Sequence, residues 1–220
     1  MLSSNARIAK IVKILQREVR ELTTPAVTLV RKKWASPFLV LISCVLSLRT
    51  KDEVTLRASE RLFSLATDPE NMLKLNTAKI ETTIYPVGFY RTKAHNIKAI
   101  CRDLVNKFQG KVPDDIDTLL TLQGVGRKTA NLVVTEGFGK LGVCVDTHVH
   151  RISNRLGYVK TKNPEETEWA LRKKLPTRFW IEYNCLLVTW GQNICKPVSP
   201  FCSRCQIRKL CPRVGVVSSR

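Results

Sequence analysis

A lysine and an aspartate in the middle of the chain have the side chains best suited to covalent chemistry. Lys128 follows a glycine-containing turn, and Asp146 lies eighteen positions later. The positive end of a helix disfavours a second positive charge, so we expect the pKa of Lys128 to fall, and partial burial would lower it further. A lysine with a lowered pKa is partly neutral near pH 7 and can act as a nucleophile. A carboxylate held by backbone N–H groups can stabilise positive charge on a sugar ring. The simpler interpretations are a phosphate-contacting lysine, one of 37 Lys and Arg residues, and an aspartate that caps a helix.

The turn before Lys128 has the features of an anion-binding hairpin between two helices. Apolar residues recur at helical spacing in residues 114–122, and a buried helical pattern resumes after the turn. The two glycines interrupt the pattern, and we expect both to adopt backbone angles that other residues resist. A turn that runs into a helix start presents unpaired N–H groups and the positive end of the dipole, which suits a phosphate. The candidate phosphate contacts are Gly124, Val125, Gly126 and Arg127. Without its flanking residues, Gly-Val-Gly is more often an ordinary helix–helix turn.

Four cysteines near the C-terminal end form a second group of reactive side chains. Cys195, Cys202, Cys205 and Cys211 lie within seventeen residues, separated by six, two and five residues. This close spacing indicates a metal ion or an iron–sulfur cluster rather than disulfides. The spacing alone favours neither zinc nor a four-iron cluster, because only one pair has the C-x-x-C separation. The other four cysteines lie in apolar surroundings and are expected to be buried thiols: Cys44, Cys101, Cys144 and Cys185.

The composition indicates an intracellular protein that binds a polyanion. The chain has 220 residues, 44% of them hydrophobic, which is enough for a core in one or two domains. The formal net charge of +19 and the pI near 9.9 favour nucleic acid, although an anionic membrane surface would also attract such a charge. The longest apolar run, Phe38 to Leu48, has eleven residues and is too short to span a membrane. We therefore expect no membrane partner, and the thiols indicate a reducing compartment, cytoplasmic or nucleoid-associated.

The rest of the pattern is that of an all-α protein. Proline follows a capping residue at four places where it would begin a helix: Thr24-Pro25, Ser36-Pro37, Asp68-Pro69 and Asn163-Pro164. Glu166 stands three residues after Asn163, which is the distance of a capping box. Residues 1–22 have one apolar and one basic side, and they predict a structural helix rather than an organellar transit peptide. The sequence shows no sustained strand alternation and no internal repeat.

Residues 122–151, together with the spacing of the four cysteines, resemble the endonuclease III family, helix-hairpin-helix DNA glycosylases that also cut at abasic sites. The resemblance covers nearly the whole chain and implies two helical domains with a DNA-binding cleft between them. One would be a six-helix barrel over residues 30–140 that ends with the hairpin. The other, an iron–sulfur cluster domain, would combine residues 1–29 with residues 141–220. In this arrangement Lys128 and Asp146 would face each other across the cleft.

The same resemblance implies a reaction. Enzymes of this family remove oxidised pyrimidines and cleave the strand 3′ to the abasic site by β-elimination. Lys128 takes the place of the Schiff-base lysine, and Asp146 takes that of the catalytic aspartate. The four cysteines take the places of the ligands of a [4Fe–4S] cluster, so the resemblance favours iron over zinc. The expected partner is double-stranded DNA with a damaged pyrimidine or an abasic site, bound by a monomer.

Further DNA contacts are implied by the resemblance. The segment around Arg49 and Asp52 resembles the one that enters the duplex beside the extruded nucleotide. Phe89 stands at the wedge that pushes bases apart, and His148 and Arg151 would reach phosphates. The simpler interpretations are a surface arginine, a core aromatic residue and a solvated helix face.

The chain also departs from the family pattern. Arg49 stands where glutamine is usual, Phe89 where an aliphatic residue is usual, and Gln123 where proline is common. The loop over residues 196–201 is less basic than in many relatives. These changes bear on the opposite-base preference, the rigidity of the turn and the DNA contact of the loop.

Three other classes of protein explain part of the pattern. A monofunctional adenine or mismatch-thymine glycosylase would share the fold and the cluster, but such relatives typically lack a lysine at position 128. A DNA-binding module without activity would keep the glycines and need neither Lys128 nor Asp146. An electron-transfer protein would explain the cysteines and leave the hairpin and the charge unexplained. A bifunctional DNA glycosylase and abasic-site lyase accounts for all of these features.

Overall fold

The structure, a computed structural model, describes residues 3–22 and 24–220, and within these ranges its regular secondary structure is all helical, with no strand. This confirms the all-α prediction. The helices are α1 (Ser4–Glu18), α2 (Ala26–Trp34), α3 (Pro37–Ser47), α4 (Asp52–Phe63), α5 (Pro69–Lys74), α6 (Thr77–Ile84), α7 (Tyr90–Phe108), α8 (Ile116–Leu120), α9 (Arg127–Leu132), α10 (Thr147–Arg155), α11 (Pro164–Lys174) and α12 (Trp180–Asn193). Short 3₁₀ turns lie at Val19–Glu21, Thr177–Phe179, Cys202–Arg204 and Arg208–Leu210, and a π-helical turn at Val133–Gly137 extends α9.

The chain divides into two compact units, each with its own core. Ala26–Lys140 forms the first unit, which contains α2 to α9 and is called here the barrel unit after the prediction for this part of the chain. The N-terminal residues to Pro25 and Leu141–Arg220 form the second unit, called here the cysteine-loop unit. The divisions therefore lie at 25/26 and 140/141, whereas the sequence places them at 29/30 and 140/141.

The barrel unit is built around α3. Nine of its residues in succession, Phe38 to Leu46, are buried, because a helix that is apolar on all sides is stable only when other helices surround it. Helices α2, α4, α7 and α9 and the π turn all pack against it. The central position of α3 also explains why an eleven-residue apolar run occurs in this chain. Among the described residues, no helix is both long and apolar enough to cross a membrane.

The cysteine-loop unit is built around α10 and α12, against which α1 and α11 pack. Helix α1 buries Ile8, Ile11, Val12 and Leu15, the apolar side predicted for residues 1–22. The helix itself ends at Glu18 and continues as a 3₁₀ turn, while residues 1 and 2 lie outside the described ranges.

Three of the four predicted proline starts are confirmed. Ser36, Asp68 and Asn163 each accept a hydrogen bond from a backbone N–H of the helix that they cap. The fourth prediction is off by one residue, because α2 begins at Ala26 rather than at Pro25. The capping box at Asn163 differs in detail, since the Glu166 carboxylate accepts hydrogen bonds from the Asn163 side chain and from the backbone N–H of Lys162, not from the backbone N–H of Asn163.

The predicted buried thiols are confirmed at three positions. Cys44, Cys101 and Cys144 are buried, and burial raises the pKa of Cys101 to about 12. Cys185 is partly exposed, so the prediction is wrong for this residue. It lies on α12, whose apolar surroundings in sequence do not reveal which side of the helix faces solvent.

Candidate functional site

The hairpin turn connects two short helices of the barrel unit. Asp115 caps α8 by accepting a hydrogen bond of 2.8 Å from the backbone N–H of Thr118. Gly124 then has a φ of +78°, and Gly126 is the residue from which α9 begins. The φ of Gly126 is −96°, which any residue can adopt, so the expectation of a special conformation at this glycine is wrong.

Contacts with α7 hold the turn in place. The side chain of Gln123 donates a hydrogen bond of 3.0 Å to Oδ1 of Asn96 on α7. A Cβ on Gly124 would lie 2.4 Å from Nδ2 of the same asparagine, so any other residue would have to displace the Asn96 side chain as well as adopt a positive φ. By contrast, a Cβ on Gly126 would meet nothing within 4 Å. The absence of a side chain at Gly126 leaves the backbone N–H groups of the helix start open to an approaching anion.

Lys128 is the second residue of α9 and is exposed. The expectation of partial burial is therefore wrong, since neighbouring side chains such as Ala130 and Val133 take the buried side of this helix. The lysine lies in the first turn, where the positive end of the helix dipole acts on its charge. Its amine is accessible to a substrate from solution, which a nucleophile requires.

Asp146 caps α10 in the cysteine-loop unit. Its Oδ1 accepts hydrogen bonds of 2.9 Å from the backbone N–H groups of both His148 and Val149. The three residues before it, Val143 to Val145, are buried, and Val149 anchors the first turn of the helix. The carboxylate is thus fixed in orientation, which confirms the predicted helix cap, and it remains partly exposed.

His148 and Arg151 lie one turn apart on α10 and contact each other. Nη2 of Arg151 donates to Nδ1 of His148 at 3.1 Å and to the carbonyl of Cys195 at 2.8 Å. Desolvation by burial lowers the pKa of Arg151. Arg151 thus ties Cys195, the first residue of the cysteine loop (residues 195–211), to α10. This side of α10 is therefore not a simple solvated face. A phosphate contact by either residue stays a prediction.

The four cysteines of the C-terminal segment line one cavity of about 30 Å³. Apolar residues of α10 and α12, including Ile152 and Trp190, form its floor. Burial raises the pKa of Cys205 to about 11 and also raises that of Cys211. Among the described residues, no three Cys, His, Asp or Glu side chains converge on a point that could hold a single metal ion.

Arg155 is a contact of this loop that sequence reasoning missed. Its Nη1 donates to Sγ of Cys195 at 3.3 Å and to the carbonyl of Lys196 at 2.6 Å, while Nη2 donates to the carbonyl of Pro197 at 2.7 Å. The only sequence signal is its spacing of four residues from Arg151, which places both arginines on the same side of α10. The guanidinium therefore fixes the backbone around the first cysteine.

Arg49 and Phe89 come together in the barrel unit. Both have a positive φ, of 52° and 58°, and the guanidinium lies 5.6 Å from the centre of the phenyl ring. Phe89 is 63% exposed, so the alternative interpretation as a core aromatic residue is wrong. Asp52 begins α4, where a carboxylate stabilises the positive helix end. A DNA contact by Asp52 stays a prediction.

The predicted residues therefore fall into separate groups. Within the barrel unit the structure brings Arg49 to Phe89, and it places Lys128 beside the glycine turn. Within the cysteine-loop unit it places Asp146 and His148 at the start of α10 and gathers the four cysteines around one cavity.

Comparison with known proteins gives consistent matches. Residues 42–177 match the HhH-GPD superfamily of base excision DNA repair proteins. An endonuclease III of Thermotoga maritima is 50% identical over 179 residues, which are 81% of this chain and 84% of that protein. The chloroplastic endonuclease III homolog 1 of Arabidopsis thaliana is 45% identical over 80% of this chain, which spans only 48% of that longer protein. The solved structure of a trapped covalent endonuclease III–DNA intermediate is similar with a TM-score of 0.82 at 33% identity, over 97% of both chains.

Proposed function

Because the chain belongs to the endonuclease III family, we propose that its hairpin lysine and its helix-capping aspartate carry out DNA base excision with abasic-site cleavage. The protein is a DNA glycosylase and abasic-site lyase of base excision repair. Its substrate is double-stranded DNA with an oxidised pyrimidine or an abasic site, bound by a monomer. The observation that carries the proposal is the exposed amine of Lys128 in the first turn after a glycine turn with an open backbone.

The reaction follows from the chemistry of these side chains. The neutral amine of Lys128 attacks C1′ of the sugar, the C1′–N glycosidic bond breaks, and the electron pair leaves with the base. Asp146 stabilises the positive charge that develops on the sugar. Loss of the amine proton and opening of the ring produce a Schiff base, which acidifies a C2′ proton. Removal of that proton expels the 3′ phosphate by β-elimination.

Different elements bind the DNA through different chemistry. The open backbone at Gly126, with Arg127 beside it, holds a phosphate without reading the base. Arg49 and Phe89 enter the duplex next to the extruded nucleotide, and they help offset the few kcal/mol of unstacking. Arg151 adds positive charge near the start of α10, and His148, whose Nδ1 accepts from Arg151, can donate to a phosphate through Nε2.

The cysteine loop fits a [4Fe–4S] cluster. Four thiols around one cavity supply the ligands that such a cluster needs: Cys195, Cys202, Cys205 and Cys211. Burial raises the pKa of Cys205, and a hydrogen bond from the buried indole N–H of Trp190 opposes the shift, so this N–H would also donate to the Cys205 sulfur of a bound cluster. The cluster would order the loop, and no step of the reaction requires it.

The first test is reduction with borohydride on a duplex that contains one abasic site. The wild-type protein should form a covalent adduct, because borohydride reduces the imine between Lys128 and the sugar. Lys128→Gln should abolish the adduct. Lys111→Gln, which changes an exposed lysine of the same unit, should leave it unchanged. A folded wild-type protein that binds the duplex without forming an adduct would exclude the lyase and favour a monofunctional glycosylase.

A second substitution separates the two roles of Asp146. Asn is as good a helix cap as Asp, so Asp146→Asn should keep the stability of α10 within about 0.5 kcal/mol. It should lower the rate of base release by about 100-fold, because the negative charge is lost. Asp146→Ala should lose the cap as well and be destabilised by about 1 kcal/mol. Thermal unfolding and single-turnover base release measure the two effects, and an active Asp146→Asn protein would leave this residue only its structural role.

A further inference from the structure

Lys93 is a buried cation beneath the segment that carries Arg49. Its side chain is 5% exposed, and its Nζ donates to three acceptors. These are the carbonyls of Leu46, at 2.8 Å, and Leu48, and the hydroxyl of Thr50, at 3.1 Å. Both carbonyls belong to the C-terminal end of α3, where the helix leaves acceptors unpaired and where a positive charge is favoured.

The same contacts join this segment to the one that carries Phe89. The Thr50 hydroxyl also accepts a hydrogen bond of 3.2 Å from the backbone N–H of Gly88 and donates to the carbonyl of Leu48. A Cβ on Gly88 would lie 2.7 Å from the carbonyl oxygen of Arg49, so the two backbones meet at a distance that only glycine permits. Lys93 lies one helical turn after Phe89, and its backbone N–H donates to the Phe89 carbonyl.

Backbone strain at Arg49 and Phe89 indicates what this hydrogen-bond network does. Arg49 and Phe89 both have a left-handed backbone, which is unfavourable for a non-glycine residue and persists only where the surroundings enforce it. We propose that Lys93 is a positioning residue that locks the Arg49 and Phe89 segments into one preformed element for insertion into the duplex. The inference rests on the proposed function, since it explains why these two side chains are held in place to enter the duplex.

Lys93 is not a second nucleophile. Burial lowers its pKa to about 8, so at neutral pH it remains mostly charged and donates its hydrogens to the three acceptors. An ammonium in this state has no lone pair for attack on a sugar. Its contribution to the reaction therefore passes through the segments that it holds.

Lys98 provides a matched control on the same helix. Its Nζ donates to the carbonyls of Leu73 and Leu75 at the C-terminal end of α5. Lys93→Met and Lys98→Met therefore each remove a lysine that caps a helix, and both should lower the unfolding temperature. Only Lys93→Met should loosen the Arg49 and Phe89 segments.

The readout is base unstacking in a duplex with one abasic site and 2-aminopurine beside it in the opposite strand. Lys93→Met should reduce the protein-induced fluorescence rise by about half or more, and should slow release of an oxidised pyrimidine by about tenfold, the size expected for loss of charged hydrogen bonds. Borohydride trapping of a preformed abasic site, which needs no base to be extruded, should change much less. Lys98→Met should alter none of these beyond about twofold.

Each outcome decides the inference. If Lys93→Met gives the same fluorescence rise and the same ratio of base release to trapping as Lys98→Met, Lys93 is only a helix cap and the inference is wrong. Should Lys93→Met not fold, Thr50→Val removes the shared acceptor instead and must produce the same losses. The fluorescence rise needs no catalysis, so it tests the inference even if the wild-type protein fails to form the covalent adduct.

Discussion

A methyl group added to Gly124 would collide with Asn96, whereas one added to Gly126 would meet only open space. Gly124→Ala should therefore destabilise the barrel unit by about 1–2 kcal/mol, because a positive φ and a close contact both oppose the new side chain. Gly126→Ala should change the stability by less than about 1 kcal/mol, because the loss of a favoured N-cap residue and the lower entropy of the unfolded chain oppose each other. It should weaken binding to duplex DNA, since the methyl group occupies the path of the phosphate. Chemical denaturation and a binding titration measure the two effects. Normal DNA affinity in a folded Gly126→Ala protein would show that the hairpin turn does not contact DNA.

At this scale, side-chain type and spacing predict chemistry better than they predict environment. Asp146 was predicted as a helix cap because aspartate before a helical pattern has few other structural roles, and it is one. The burial of Lys128 and the conformation of Gly126 were predicted wrongly, because a lysine tolerates many degrees of exposure and a glycine permits unusual angles without requiring them. The contacts of Arg155 and Lys93 could not be predicted, since their partners lie 40 to 47 residues away in the sequence.

Helix α7 supports most of the predicted DNA contacts of the barrel unit. It starts immediately after Phe89, its first turn carries Lys93, and its second turn carries Asn96, against which the hairpin turn rests. Periodicity identifies such a helix but not the three segments that meet along it, because those contacts depend on how the chain folds back. The wedge, the Arg49 segment and the hairpin are consequently linked through one rigid element.

The π-helical turn after α9 contains a buried carboxylate whose titration should be measurable. Glu136 accepts a hydrogen bond of 3.3 Å from the Thr28 hydroxyl and pairs with Nε of Arg31 at 3.1 Å. Desolvation by burial raises the pKa of Glu136 above its ordinary value of 4.5, although Arg31 opposes the shift. The folded state therefore holds this proton more tightly than the unfolded state. Its stabilising contribution is complete below pH 4.5 and is lost as the pH rises through the folded pKa.

Glu136→Gln removes this titration. The unfolding temperature of the variant minus that of the wild type should increase between pH 4.5 and pH 7, because only the wild type loses stability in that window. Glu60→Gln, at an exposed carboxylate that pairs with Lys33, is the control and should show a much smaller change. A constant difference for Glu136→Gln across the same range would mean that Arg31 offsets the burial completely.

For the molecule as a whole, the net charge of +19 sets how strongly DNA is attracted, while the number of phosphates contacted sets how binding depends on salt. The logarithm of the association constant should fall linearly with the logarithm of salt concentration, with a slope of about −0.9 for each phosphate contacted. Because only cations close to phosphates displace counterions, we expect a slope of roughly −4 to −7, far below the formal charge. Arg127→Gln should reduce its magnitude by about one, and Lys111→Gln should leave it unchanged.

The same titration separates attraction from recognition of damage. Duplexes with and without an abasic site present the same phosphates, so their slopes should agree although the damaged duplex binds more tightly. The difference in affinity then comes from uncharged contributions, namely the lower cost of unstacking at the lesion and the apolar contact of Phe89. Phe89→Ala should reduce the preference for the damaged duplex by about tenfold without changing either slope, because it removes contact area and no charge. A slope that differed between the two duplexes would instead place damage recognition in additional phosphate contacts made only after the nucleotide is extruded.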